Sequence, residues 1–101
     1  MLLALLAFVV PVAGAAVELT IPAAREKASR FAERTCAQDR SCVRHGVLNC
    51  RRETDHIVFC RISLRRHTQA QGRYSCNRLI RLAIDPKTRR VPVTGLGRWH
   101  C

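Results

Sequence analysis

Asn49 to Arg66, NCRRETDHIVFCRISLRR, holds two runs of alternating apolar residues on either side of the polar segment Glu53-Thr54-Asp55-His56. Strand-forming runs flanking a short polar segment read as a β-hairpin, and each run here carries one cysteine. From Ile57 to Arg66, Val58, Cys60, Ile62 and Leu64 take one side, while Phe59, Arg61, Ser63 and Arg65 take the other, because side chains alternate along a strand. The first set is the core face. Cys50 and Cys60 are separated by an even interval, so a turn of three or five residues centred on Asp55 sets them opposite each other on that face. Closing a loop of this size stabilises by about 2–3 kcal/mol through the entropy removed from the unfolded chain.

C-terminal to the hairpin, His67 to Gly72 reads as a polar loop and Arg73 to Ile84 as a third strand. Tyr74, Cys76, Ile80, Leu82 and Ile84 share one of its faces, interrupted by Arg78; Ser75, Asn77, Leu79, Arg81 and Ala83 share the other. Asp85-Pro86-Lys87-Thr88 is a turn, with Pro preset for its second position and Asp able to accept from the turn backbone. In the strand that follows, Val91, Val93, Trp99 and Cys101 have one parity. Gly95 and Gly97 lie between them and either leave room for the helix backbone or mark a bulge.

On the N-terminal side, Thr20-Ile21-Pro22 is a helix start, since Pro in the first turn lacks an N–H that has no intrahelical partner anyway. Ala24, Ala28, Phe31, Ala32 and Thr35 recur at helical spacing through Ala37, with charged residues opposite and Glu26 placed to pair with Arg30. So alanine-rich a face must lie close to whatever it packs on. Cys36 and Cys42 can bridge locally at the helix end, and a first strand is expected over Val47 to Arg52. The expected fold is α+β: one N-terminal amphipathic helix on a four-stranded antiparallel meander, as a single domain over residues 17–101.

Before that domain, MLLALLAFVVPVAGAA carries no charged side chain and ends in small residues, the pattern of a cleavable signal peptide over 1–16, although only the α-amino group supplies its positive n-region. As an uncleaved membrane anchor it stands at the short edge of the roughly 17–25 residues a spanning helix needs. Six cysteines, an even number, in a small exported chain favour three disulfides over free thiols or a metal site, whose C-x₂₋₄-C spacing is missing. Of fifteen connectivities, the favoured set is Cys36–Cys42, Cys50–Cys60 and Cys76–Cys101, with Cys50–Cys60 the pair singled out.

The alanine-rich helix, CRRETDHIVFCRISLRR and RYSCNRLIRLAI together resemble small uncharacterised exported proteins of actinobacteria, in which such a helix precedes a C-R-R…V-x-C-R-x-S hairpin and further Arg-rich strands. The likeness covers roughly residues 20 to 84. It implies export and the Cys50–Cys60 bridge and brings no activity; the other four cysteines depart from the pattern.

The formal net charge is +11, from eighteen Lys and Arg against seven Asp and Glu, and all but two of the cations are arginine. A G- and C-rich genome also produces Arg-rich, Lys-poor chains, so composition alone does not name a partner. Strand parity adds a location: Arg51, Arg61, Arg65, Arg81 and Arg98, with Phe59 and His100, fall on the face opposite the core with no acid among them. A one-sided basic face is the footprint of a polyanion-binding surface, for nucleic acid, an anionic envelope polymer or acidic lipid, and arginine suits phosphate because its planar fork binds two oxygens. Phe59 alone is a poor stacking platform for bases.

No catalytic motif, nucleotide loop or Ser-His-acid spacing occurs, and no cofactor or metal is expected. Two further classes remain in view. A secreted ribonuclease-like or toxin enzyme would draw its acid and base from His45, His56, His67 and His100, and a protease-inhibitor-like module would use Thr68 to Gly72 as its exposed loop. Set against these, the expectation is an exported, basic, non-catalytic domain acting on an anionic polymer or envelope surface, with membrane contact only through the first sixteen residues if they stay attached.

Overall fold

The hairpin forms with the register its cysteines require: Cys50 stands opposite Cys60 and Arg52 opposite Val58, so that Asp55 is central to the turn. The computed structural model describes residues 17–101; the expected signal peptide over 1–16 lies outside the described residues. Within them, α1 spans Ile21–Ala37, β1 Cys42–Arg52, β2 Ile57–Thr68, β3 Gly72–Ala83 and β4 Val93–His100. The strands run β1-β2-β3-β4 in one antiparallel sheet, and α1 packs mainly over β1 and β2. Three disulfides, Cys36–Cys42, Cys50–Cys60 and Cys76–Cys101, cross-link it as the favoured set has them.

Local chemistry sets both helix ends. Thr20 caps the first turn, its hydroxyl accepting from the Ala23 N–H at 3.2 Å, and Pro22 occupies a position whose N–H needs no partner. The entry is tied to the hairpin turn: the Leu19 N–H donates to the Asp55 carbonyl at 2.8 Å, and Arg52 donates to the Leu19 carbonyl at 2.9 Å. At the other end the Cys36–Cys42 bridge joins α1 to β1. Between these clamps Ala24, Ala28 and Ala32 are fully buried against Val58, Cys60, Ile62, Ile80 and Leu82, with Leu19 closing the layer. Methyl-sized side chains on the inner stripe let the helix lie close to the sheet.

The strands are longer than periodicity suggested. β1 begins at Cys42 rather than Val47, and β2 runs to Thr68 rather than Arg66. The expected loop at His67–Gly72 is therefore a three-residue turn between the paired Thr68 and Gly72, with Gly72 at φ +65. Polar residues hid these extensions because the sheet outruns the helix at that end. Asp85 organises the β3–β4 turn as expected, accepting from the Lys87 and Thr88 N–H groups at 2.8 and 3.2 Å.

Asp39 holds the corner where α1 hands over to β1. Its carboxylate accepts from the Ser41 hydroxyl at 2.6 Å and the Ser41 N–H at 3.0 Å. Its other oxygen lies 2.8 Å from Arg66 Nε, a close ion pair without an aligned hydrogen bond. The Ser41 hydrogen bonds, and to a lesser degree Arg66, hold the Asp39 carboxyl below its ordinary 3.8, outweighing the opposing effect of burial. A carboxylate depressed on folding stabilises fully above its unfolded value and loses that contribution as pH falls through the lower folded value. Thermal unfolding followed from pH 5 to pH 2 should therefore show a steeper loss for the wild type than for Asp39→Asn, which has no proton to gain.

Candidate functional site

Ten of the sixteen arginines lie in the four strands, and none of the seven Asp and Glu residues does. The pairing register divides these arginines by face. Arg52, Arg66 and Arg78 stand on the helix side, opposite Val58, Cys42 and Ile62 respectively. Each is engaged. Arg52 pairs with Glu18 at 3.0 Å, Arg66 with Asp39 at 2.8 Å, and Arg78 donates to the Gly97 carbonyl at 3.1 Å. Arg66 and Arg78 also face the Trp99 ring, at 5.5 and 5.9 Å from its centroid, within the range of a cation–π contact.

Among the described residues nothing packs over the opposite face, and its arginines are mostly without partners. Arg51, Phe59, Arg81 and Thr94 form one cross-strand row, and Asn49, Arg61, Leu79 and Leu96 the next. Arg61 donates to Asn77 Oδ1 at 2.8 Å. Among the described residues Arg51, Arg65 and Arg81 have no hydrogen-bond or ion-pair partner. Arg51 and Arg61 line one groove with Phe59 and Leu79, and Arg81 stands beside Phe59. Arg65 lies further along β2, away from that groove. Arg98 is exposed inside a bulge of β4 and has no register partner.

Around Arg65 two more cations gather that parity did not supply. Arg44 is directly opposite Arg65 on β1, and Arg73, opposite His67, shares a groove with both. Like charges directly opposed across a ladder cost stability, and no acid of the described residues relieves this pair. Arg44 was hidden by a bulge: Val47 pairs with Ile62 and Asn49 with Arg61, so Leu48 is an extra residue and the parity upstream of it is inverted. Unbroken alternation from Cys50 would have sent Arg44 to the core side. Arg73 was available from the parity of β3.

No protein-family model matches this chain, and neither does any curated protein or solved structure. The chemistry of the outer face rests on its own geometry. Of the four histidines, His56 lies in the β1–β2 turn, at the opposite end of the sheet from His67 beside the β2–β3 turn; His45 is opposite Leu64 and His100 opposite Asn77. Among the described residues no three His, Cys, Asp or Glu side chains gather to hold a metal ion.

The glycines of β4 serve Arg78 rather than the helix backbone. Gly95 is opposite Ile80, and a Cβ there would overlap the Arg78 guanidinium. Gly97, at φ +68, sits in the bulge between the pairs Asn77–His100 and Leu79–Leu96 and presents its carbonyl to Arg78. Gly95→Ala should displace the guanidinium from Trp99 and cost about 1 kcal/mol, the worth of one hydrogen bond or one exposed cation–π contact. Trp99 is the only tryptophan, so a change in tryptophan emission reports the displacement directly.

Proposed function

We propose that this is an exported, disulfide-stabilised basic domain that acts by binding an anionic partner through the outer face of its sheet. The supporting observation is the division of the arginines: those on the helix side are engaged by carboxylates, carbonyls or the Trp99 ring, whereas Arg51, Arg65 and Arg81 on the outer side are unpaired among the described residues. A structural role consumes a guanidinium's donors; a binding role leaves them available. Three disulfides fit an oxidising compartment, and export to the cell surface or medium is the reading that accounts for them. The resemblance to small exported actinobacterial proteins points the same way.

A DNA duplex of arbitrary sequence serves as a generic polyanion for the test. The protein should bind it without sequence preference, and log K should fall linearly with log salt as counterions are released. Absence of binding at low salt both to this duplex and to anionic vesicles would defeat the proposal.

A further inference from the structure

Among the described residues the two large hydrophobic side chains that stand most exposed are Val43, at 64%, and Leu48, at 53%. Both are bulge residues. Cys42 pairs with Arg66 and Arg44 with Arg65, leaving Val43 extra, just as Leu48 is extra between Val47 and Asn49. An extra residue in one strand of a ladder has no partner and is extruded. β1 is also an edge strand, and two bulges within eleven residues break the row of backbone groups that a second strand would need. The aliphatic exposure is therefore not explained by edge-to-edge pairing.

What surrounds these side chains is cationic. Leu48 lines a groove with Arg44, Ser63 and Arg65, and Val43 lines the adjoining one with Arg44, Arg65, His67 and Arg73. The two grooves meet at Arg44 and Arg65, the directly opposed pair without a counter-charge. Exposed aliphatic tips beside unpaired guanidinium groups match a partner that is anionic at its surface and apolar just beneath. Nucleic acid offers the charge, but its apolar component is the base face, which calls for aromatic side chains; neither groove carries a phenylalanine, tyrosine or tryptophan, their rings being the imidazoles of His45 and His67. Tyr74, which lines a further groove with Val43, is half-buried and stands opposite Arg66 on the helix side.

We infer that the anionic partner is a lipid surface, with Arg44, Arg65 and Arg73 on the lipid phosphates and Val43 and Leu48 inserted at the headgroup boundary. The inference rests on the outer-face reading proposed above and narrows its partner class. The contact is made by side chains of the sheet; among the described residues no helix is long and apolar enough to cross a membrane. Phosphate-binding guanidinium groups supply the charge attraction, worth about fivefold in affinity per arginine near an anionic surface. Burial of the aliphatic tips holds the protein against dissociation.

The test is co-sedimentation with phosphatidylglycerol-containing vesicles, with phosphatidylcholine vesicles controlling for the apolar first sixteen residues and the DNA duplex as a parallel arm. The wild type should bind the anionic vesicles and bind the neutral ones far less. Val43→Ser with Leu48→Ser should weaken the vesicle arm about tenfold or more and leave DNA binding unchanged. Both positions are exposed, so the double variant should fold, and circular dichroism checks this. DNA binding without preference for anionic vesicles overturns the lipid inference and leaves the polyanion reading standing. Vesicle binding that ignores the double substitution also overturns it, and failure of both arms removes both.

Discussion

Replacing Cys76 and Cys101 together by alanine is expected to cost about 3–4 kcal/mol, the largest loss for any of the three bridges. The reason is loop length: this bridge joins positions 25 apart in sequence, against 10 for Cys50–Cys60 and 6 for Cys36–Cys42. In the chain-entropy picture a longer loop removes more freedom from the unfolded chain, so the local Cys36–Cys42 bridge should be worth only about 2 kcal/mol. The folded state points the same way. β4 is an edge strand whose ladder is interrupted between Leu79–Leu96 and Asn77–His100, so its last residues depend on the bridge to the fully buried Cys76. For a domain of this size the loss corresponds to a fall in midpoint on the order of 20 °C. Thermal unfolding of the Cys76/Cys101 and Cys36/Cys42 double variants measures it. The reverse order of stability would show that loop entropy does not govern these crosslinks.

How far the chain could be read from its residues differs from element to element. β2 was plain because its alternation is unbroken from Val58 to Leu64 and every inward residue is fully buried. α1 was plain because its alanine stripe and Thr20–Pro22 start agree, and the Cys50–Cys60 register followed from parity and a central Asp55. β1 was half hidden. Two bulges invert its parity twice, and bulges leave no mark in composition when the extruded residues, Val43 and Leu48, are themselves apolar. The candidate face inherited that defect: Arg51, Arg61, Arg65 and Arg81 could be placed by counting along regular stretches, whereas Arg44 could not. Parity places Arg98 in an outer row, but the residue falls where β4 departs from regular pairing. Arg78 looked like an interruption of the core. Its accommodation needed Gly95, Gly97 and Trp99 to be seen together, which no spacing rule combines.

The division of the arginines makes the second large effect testable. Arg51, Arg65 and Arg81 changed together to glutamine should reduce the salt dependence of DNA binding by about three, near one for each phosphate that is no longer neutralised. Their guanidinium groups have no partner among the described residues, so the unfolding midpoint should not fall, and relief of the Arg44–Arg65 opposition should raise it slightly. Changing Arg52, Arg66 and Arg78 to glutamine removes the same amount of charge from the helix side, where it breaks the Glu18 and Asp39 pairs and the bond to the Gly97 carbonyl. That set should cost about 1–3 kcal/mol in stability and leave the salt slope nearly intact. Because both triple variants have the same net charge, total basicity cannot produce a difference between them. The most direct measurement is the salt dependence of DNA binding for these two variants beside the wild type. A slope reduced by about three in the outer-face variant alone is the expected result; equal reductions in both would mean that the protein's charge acts as a whole and that its outer face has no special part in binding.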